Sequence, residues 1–170
     1  MGDITRLDEI GEAADAIVNA ANERLAAGSG VCGAIFAAAG HRELSDACAA
    51  LGGCPTGSAV ATPAFGLAAH GVTHVVHTVG PVFSSYSPEQ ADELLASAYR
   101  TSLEVAERLG VRRIAFPAIS TGVFGFPERR AAAIAAQECT GHEGAIEQVL
   151  LVAFDPASGA VLEQALGDVG

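Results

Sequence analysis

Short runs of β-branched and aliphatic residues alternate along the chain with longer runs whose apolar positions recur at helical spacing. Five runs are predicted strands: 15–20 (DAIVNA), 58–62, 73–79 (THVVHTV), 113–119 (RIAFPAI) and 148–154 (QVLLVAF). Most are apolar at odd and even positions alike, as expected of strands covered on both faces. Helices are predicted over 31–39, 42–51, 88–109, 127–138 and 156–166. The third is the clearest. Leu94, Leu95, Ala98, Leu103 and Ala106 form one stripe, Ser87 or Pro88 can start it, and Gly110 stands where a C-cap belongs. In the second, Leu44, Cys48 and Leu51 share a face. Pro127 suits a first helical turn and Asp155 an N-cap. Strands alternating with helices predict an α/β sheet covered on both faces. Ligands of such sheets bind beyond the carboxyl ends of the strands, so the loops after the strands are where chemistry is expected.

Composition narrows the picture. A length of 170 residues predicts one domain over 1–170, large enough to bury a core without metal or disulfide staples. No run of about 18 apolar residues occurs, so no membrane span is expected. The first residues lack a basic stretch followed by an apolar one, so no secretory signal is expected and a cytoplasmic location is. Cys32, Cys48, Cys54 and Cys139 form no C-x-x-C pair, which predicts free thiols and no metal site. The formal charge is −11, all nine basic residues are arginine, and lysine is absent. That excludes a Walker A loop and argues against gathering nucleic acid by bulk charge. A phosphate ligand would have to be held by backbone N–H groups and helix dipoles.

Two loops fit that requirement. After the first strand the chain reads Asn19-Ala20-Ala21-Asn22 and then Gly28-Ser29-Gly30-Val31-Cys32-Gly33 at the start of a helix. The six residues match G-x-G-x-x-G, but the glycines lie several residues past the strand and no acidic residue ends a strand about 20 positions on, so a dinucleotide dehydrogenase is not expected. After the fourth strand comes Ser120-Thr121-Gly122-Val123-Phe124-Gly125-Phe126-Pro127, again small residues before a helix. Phe124 and Phe126 could cover a sugar or base, or fill the core. By residue type alone Asp3 could be a cap, and Asn19 or Asn22 could hold its own loop, Asn19 being the more expected to do so.

Gly2-Asp3-Ile4-Thr5, DAIVNAAN, the glycine loop running into GAIFAAAG, GCPTG, HTVGP and IAFPAISTGVFGFP occur in that order from Gly2 to about Asp155. Together they resemble the macrodomain family, and its MacroD-type hydrolase branch most closely. The resemblance implies a three-layer α/β/α fold with a mixed sheet. The strand that usually precedes Gly-Asp-Ile-Thr is missing or shortened here, which leaves five strands where six are usual and an edge that could pair with another chain. It implies an ADP-ribose cleft in which Asp3 accepts from the adenine amino group, Ile4 lies beside it and Phe154 stacks on the base. Asn22 would contact the distal ribose. Gly28, Gly30, Val31 and Cys32 would wrap the diphosphate and distal ribose together with Ser120, Thr121, Gly122, Val123 and Phe124. Asn22, Gly30 and Cys32 are the catalytic candidates.

The implied activity is hydrolysis of mono-ADP-ribose esters on acidic protein side chains, or deacetylation of O-acetyl-ADP-ribose, with no cofactor. The partners are then ADP-ribose or an ADP-ribosylated protein, with nucleic acid only as an ADP-ribosylated end, and the chain a monomer or weak homodimer. One departure bears on mechanism. The family's usual Val-Asp-Gly-x-Ile-His reads Val31-Cys32-Gly33-Ala34-Ile35-Phe36, so Cys32 stands for the Asp and Phe36 for the His. Three readings stay open: hydrolysis with the ligand's own phosphate positioning the water, a non-catalytic ADP-ribose reader, or a new role for Cys32 as nucleophile or zinc ligand. Against zinc, His74 and His77 lie three apart on a strand and face opposite ways.

Overall fold

Strand β1 (Ala16–Ala20) lies at the centre of a five-stranded sheet of order β2-β3-β1-β4-β5 in the computed structural model, which describes residues 2–170. β3 (His74–Thr78), β4 (Arg113–Pro117) and β5 (Gln148–Val152) run parallel to β1, and β2 (Ala59–Pro63) runs antiparallel against β3. The sheet is mixed, and all four parallel strands release their chains at one end. β1 can sit centrally because it is apolar on both faces: Ala16, Ile17 and Val18 are wholly buried.

Alternation divides the core. Ile17, Val75 and Ala115 point to a layer made by the 3₁₀ helix Ile4–Ile10, α1 (Gly30–Ala39) and α2 (His41–Leu51), where Ile35, Phe36, Leu44 and Cys48 are buried. Ala16, Val18, Val76, Ile114 and Phe116 point to α3 (Pro88–Arg108) and α4 (Glu128–Thr140), against Leu95, Tyr99, Leu103, Ala131 and Ala135. α5 (Pro156–Val169) packs on α4 through Ala132, Ala136, Val161, Leu162 and Ala165. Small residues at that contact let the two helices lie close.

The predicted elements are present, with ends shifted by up to three residues. Ser87 caps α3 in a capping box with Gln90, and Asp155 caps α5 by accepting from the Ser158 N–H at 2.8 Å. Pro127 is the N-cap of α4 and lies just before its first turn. Leu51 departs from the expected buried face of α2 and is 43% exposed, because the helix ends there and turns away at Gly52. No residue before Ala16 is in a strand among those described, so β5 is a sheet edge. No helix among the described residues is long and apolar enough to cross a membrane.

Asp15 ties β1 to β4 at the end opposite the loops. It accepts from the backbone N–H groups of Arg112 and Arg113 at 3.0 and 2.9 Å and from the Arg113 guanidinium at 2.8 Å. Burial opposes ionisation of this carboxyl, but the Arg113 bonds outweigh it and hold its pKa below the usual carboxylate value. Asp15→Ala should therefore lower stability by about 2 kcal/mol in urea unfolding, with two N–H groups left to water. The folded pKa is depressed, so the wild-type contribution is complete above the usual carboxylate pKa and fades as pH falls through the folded value; the variant should lack that part of the acid dependence.

Candidate functional site

A cleft of about 910 Å³ opens where β1, β3, β4 and β5 end. Its walls are Ala20 and Ala21 after β1, Gly80 after β3, residues 117–124 from β4 onward, and Val152, Ala153 and Phe154 from β5. Gly2, Asp3 and Ile4 close one side, and Ser29, Gly30, Val31, Cys32 and Ala34 of the α1 start form another. An arm of the cleft runs between α4 and α5, lined by Glu128, Ala131, Ala132, Ala135, Ser158, Val161 and Leu162. Among the described residues, neither arginine nor histidine lines it, and its acidic side chains are Asp3 and Glu128.

Attraction for an anion therefore has to come from the backbone. Ser29 is the N-cap of α1 but makes no side-chain capping bond, so the first-turn N–H groups are left over. Among the described residues, the N–H groups of Thr121, Gly122, Val123 and Phe124 donate to no protein carbonyl. The loop that carries them is held from behind: Phe126 N–H donates to Ser120 O at 2.9 Å, and Phe83 N–H to Phe124 O at 2.9 Å. Ser120 has φ +65, a conformation that L residues seldom adopt, and its buried hydroxyl has no partner. Two glycines permit the close packing. A Cβ on Gly33 would stand 2.7 Å from the Gly28 carbonyl, and one on Gly80 2.1 Å from Ser120 Oγ and 2.5 Å from Ile119 Cγ2.

Behind α1 runs a buried polar chain. His77, wholly buried, has Nε2 2.9 Å from Thr62 Oγ1 and 3.8 Å from Cys48 Sγ. Its Nδ1 lies 3.1 Å from Asn19 Nδ2, which also donates toward Cys32 Sγ at 3.6 Å. The directions agree if Nε2 carries the proton and Nδ1 accepts. Burial pushes the His77 pKa down to about 4.

A macro domain model matches residues 18–135. The chain is 47% identical to a macro domain-containing protein of Ralstonia nicotianae, over 98% of this chain and 91% of that one. It is 44% identical to an O-acetyl-ADP-ribose deacetylase of Escherichia fergusonii, over 99% and 94%. The chain belongs to the macro domain family. Among solved structures it is similar to the Oceanobacillus iheyensis macrodomain with ADP, with TM-score 0.89, 37% identity, and coverage of 99% of this chain and 88% of that one. It is also similar to the Trypanosoma brucei macrodomain in complex with ADP-ribose, with TM-score 0.77, 37% identity, and coverage of 92% and 64%.

Of the expected site residues, this macrodomain brings Asp3, Ile4, Gly30, Val31, Cys32, Ser120, Thr121, Gly122, Val123, Phe124 and Phe154 to one cleft. Asp3 is both cap and wall: its Oδ1 accepts from Thr5 N–H at 2.9 Å and Thr5 Oγ1 at 2.7 Å. Phe154 lies beyond the end of β5 and is 91% exposed at the rim, and Phe126 is buried against Phe83. Asn22 and Gly28 are not among the lining residues. The Asn22 amide closes its own loop instead, donating to Ala26 O at 2.9 Å and accepting from Ala26 N–H at 3.1 Å. Asn19, expected to brace that loop, is buried against His77. Asn22 takes over the bracing role because β1 still runs through Asn19, which leaves the Asn19 side chain buried against His77. Gly80, Glu128 and the α4–α5 arm were not legible in the sequence, since each reaches the cleft only through packing of distant segments. Phe36, in the place of the family's usual His, is buried in the core 5.7 Å from the His41 ring and does not line the cleft.

Gly80→Ala should cost about 1–3 kcal/mol in stability, because the added methyl meets the side chains of Ile119 and Ser120, both buried and with little room to give. His77 supplies a pH signature. Its folded pKa lies below the unfolded value, so the unfolded chain binds the extra proton between pH 6.5 and about 4. Stability should fall as pH drops through that window, by up to about 3 kcal/mol at its foot, and be flat in this respect above it. In His77→Asn, urea midpoints measured across the window should show a shallower slope.

Proposed function

We propose that this macrodomain binds ADP-ribose in the cleft and hydrolyses an ester on its distal ribose, either a mono-ADP-ribose ester on an acidic protein side chain or the acetyl ester of O-acetyl-ADP-ribose. The observation that carries this reading is the pair of loops with unspent N–H groups, at the α1 start and along 121–124, lining a cleft to which no arginine or histidine of the described residues contributes. A diphosphate fits donors arranged that way, and a helix start favours its charge. Asp3 and Phe154 stand at the side suited to a base: Asp3 keeps Oδ2 free to accept from an exocyclic amine, and the exposed ring of Phe154 offers a stacking face. The distal ribose then lies toward Gly30, Val31 and Cys32. Water attacks the ester carbonyl or the anomeric carbon, and the ligand's own phosphate is the base nearest at hand, since the α1 start presents a thiol where a carboxylate would serve.

That same thiol favours a second reading, a reader that holds ADP-ribose without turnover. Calorimetric titration with free ADP-ribose, run beside mass-resolved release from a glutamate-ADP-ribosylated protein and from O-acetyl-ADP-ribose, separates the two. Binding with release is the expected result. Binding without release from either substrate establishes the reader, and absence of binding overturns both.

Asn22→Ala tests how that residue acts. Because its amide closes the loop ahead of the glycines, the variant should lose affinity and turnover together, by about tenfold each. A fall in kcat alone would instead mean direct contact with the reacting ribose.

A further inference from the structure

Charge is distributed unevenly along the cleft. The cleft runs across the strand ends from Gly80 after β3, past Ala20 and Ala21 after β1, to Phe154 beyond β5. The unspent N–H groups lie along the middle of that line, at the α1 start and over 121–124. The two acidic side chains of the wall, Asp3 and Glu128, belong to its β4–β5 end. Asp3 caps the 3₁₀ helix that packs on β4 from one face of the sheet. Glu128 opens α4, which lies on the other face and packs against α5, the helix that follows β5.

Nothing around Glu128 neutralises it. It stands in the first turn of α4, whose N-cap Pro127 makes no side-chain capping bond. A helix start of that kind attracts anions, and Glu128 sets its own negative charge there instead. Among the described residues no cation pairs with it: Arg129 donates to Gln164 at 3.2 Å and Arg130 to Asp92 at 2.6 Å, and neither arginine lines the cleft. Across the arm the α5 start is already closed, since Asp155 accepts from the Ser158 N–H at 2.8 Å. Deeper in, the walls are Ala131, Ala132, Ala135, Val161 and Leu162, which carry no donor on their side chains. This end of the cleft therefore suits a group that donates, such as a hydroxyl, and offers a further phosphate no partner.

We infer that Glu128 is a specificity-determining residue: it makes the cleft accept an adenosine whose ribose hydroxyls are free and reject one phosphorylated at the 2′ position. The inference rests on the ADP-ribose reading above, which sets the base between Asp3 and Phe154. The ribose attached to that base then lies at the same end of the cleft as Glu128. A carboxylate there can accept from a ribose hydroxyl, as acidic residues do in dinucleotide-binding folds. A phosphate monoester in the same place would bring nearly two negative charges against it, in a part of the wall with no cation to offset them. Glu128 is exposed, so the repulsion acts through a partly solvated gap and is screened by salt. That salt dependence separates rejection by charge from rejection by shape.

The test is calorimetric titration of the whole chain with ADP-ribose and with 2′-phospho-ADP-ribose, at about 0.05 M and about 0.5 M salt. At low salt the wild type should bind ADP-ribose at least about tenfold more tightly, and the margin should narrow at high salt. Glu128→Gln keeps an acceptor oxygen and loses the charge. It should bring the two ligands within about threefold of each other, chiefly by strengthening the phosphorylated one. Glu128→Arg should reverse the preference. Equal wild-type affinities overturn the inference, as does a preference that survives intact in a Glu128→Gln protein with the wild-type urea midpoint. If that variant does not fold, an unchanged preference in Glu128→Arg overturns it in the same way. Should neither fold, a wild-type margin that salt leaves unaltered overturns it. Binding of neither ligand to the wild type brings down the ADP-ribose reading and this inference with it, whereas ADP-ribose binding without a preference brings down the inference alone.

Discussion

Two loops with unspent backbone N–H groups line one cleft because β1 and β4 lie side by side in parallel, with Ala16 beside Ile114 and Ile17 beside Ala115. That pairing puts the loop that feeds α1 and the loop that feeds α4 at the same end of the sheet. The other features of the site follow from it. At the α1 start the N–H groups remain unspent because Ser29 makes no side-chain capping bond, and those of 121–124 remain so because no carbonyl of the described residues accepts from them. In a chain with charge −11 and no lysine, they are the positive field available to a bound phosphate.

Keeping such a site open requires rigidity elsewhere. Each face of the sheet is closed by a layer of buried aliphatic residues, and Asp15 clamps β1 to β4 at the far end. Loops that expose N–H groups gain little stability from themselves, so a packed scaffold must hold them in place. The unusual φ of Ser120 and the close approach of Gly80 to Ile119 and Ser120 are local signs of that demand. At Ser120 a strained backbone and an unpartnered buried hydroxyl coincide at the cleft wall, a combination that structures keep where a site requires it.

The chain from Thr62 through His77 and Asn19 to Cys32 links the back of the sheet to the cleft wall. Its members come from β2, β3, β1 and α1. A neutral His77 serves it better than a charged one, since a protonated Nδ1 could not accept from Asn19. The deep burial that depresses the His77 pKa thus also keeps the chain's hydrogen bonds pointing in one sense.

Much was legible in the sequence by itself. Short, continuously apolar runs and runs of helical period marked every strand and α-helix, though not the 3₁₀ helix Ile4–Ile10, because burial on one or both faces is written into residue order. The ordered motifs marked the family, and the glycine-rich loops marked the segments that line the cleft. Local capping was legible too, at Ser87 and Asp155, since a cap depends on neighbours three residues away. The tertiary structure decided what depends on distant segments meeting. It turned the Asn22 amide into its own loop and Asn19 toward His77, brought Gly80 against Ser120, and opened an arm between α4 and α5. It also left Phe154 in solvent at the rim, although the run QVLLVAF reads as one buried strand, because β5 ends at Val152 and has no neighbour on its outer side. Periodicity reports which residues prefer burial; only the packed chain settles which of them is covered, and by what.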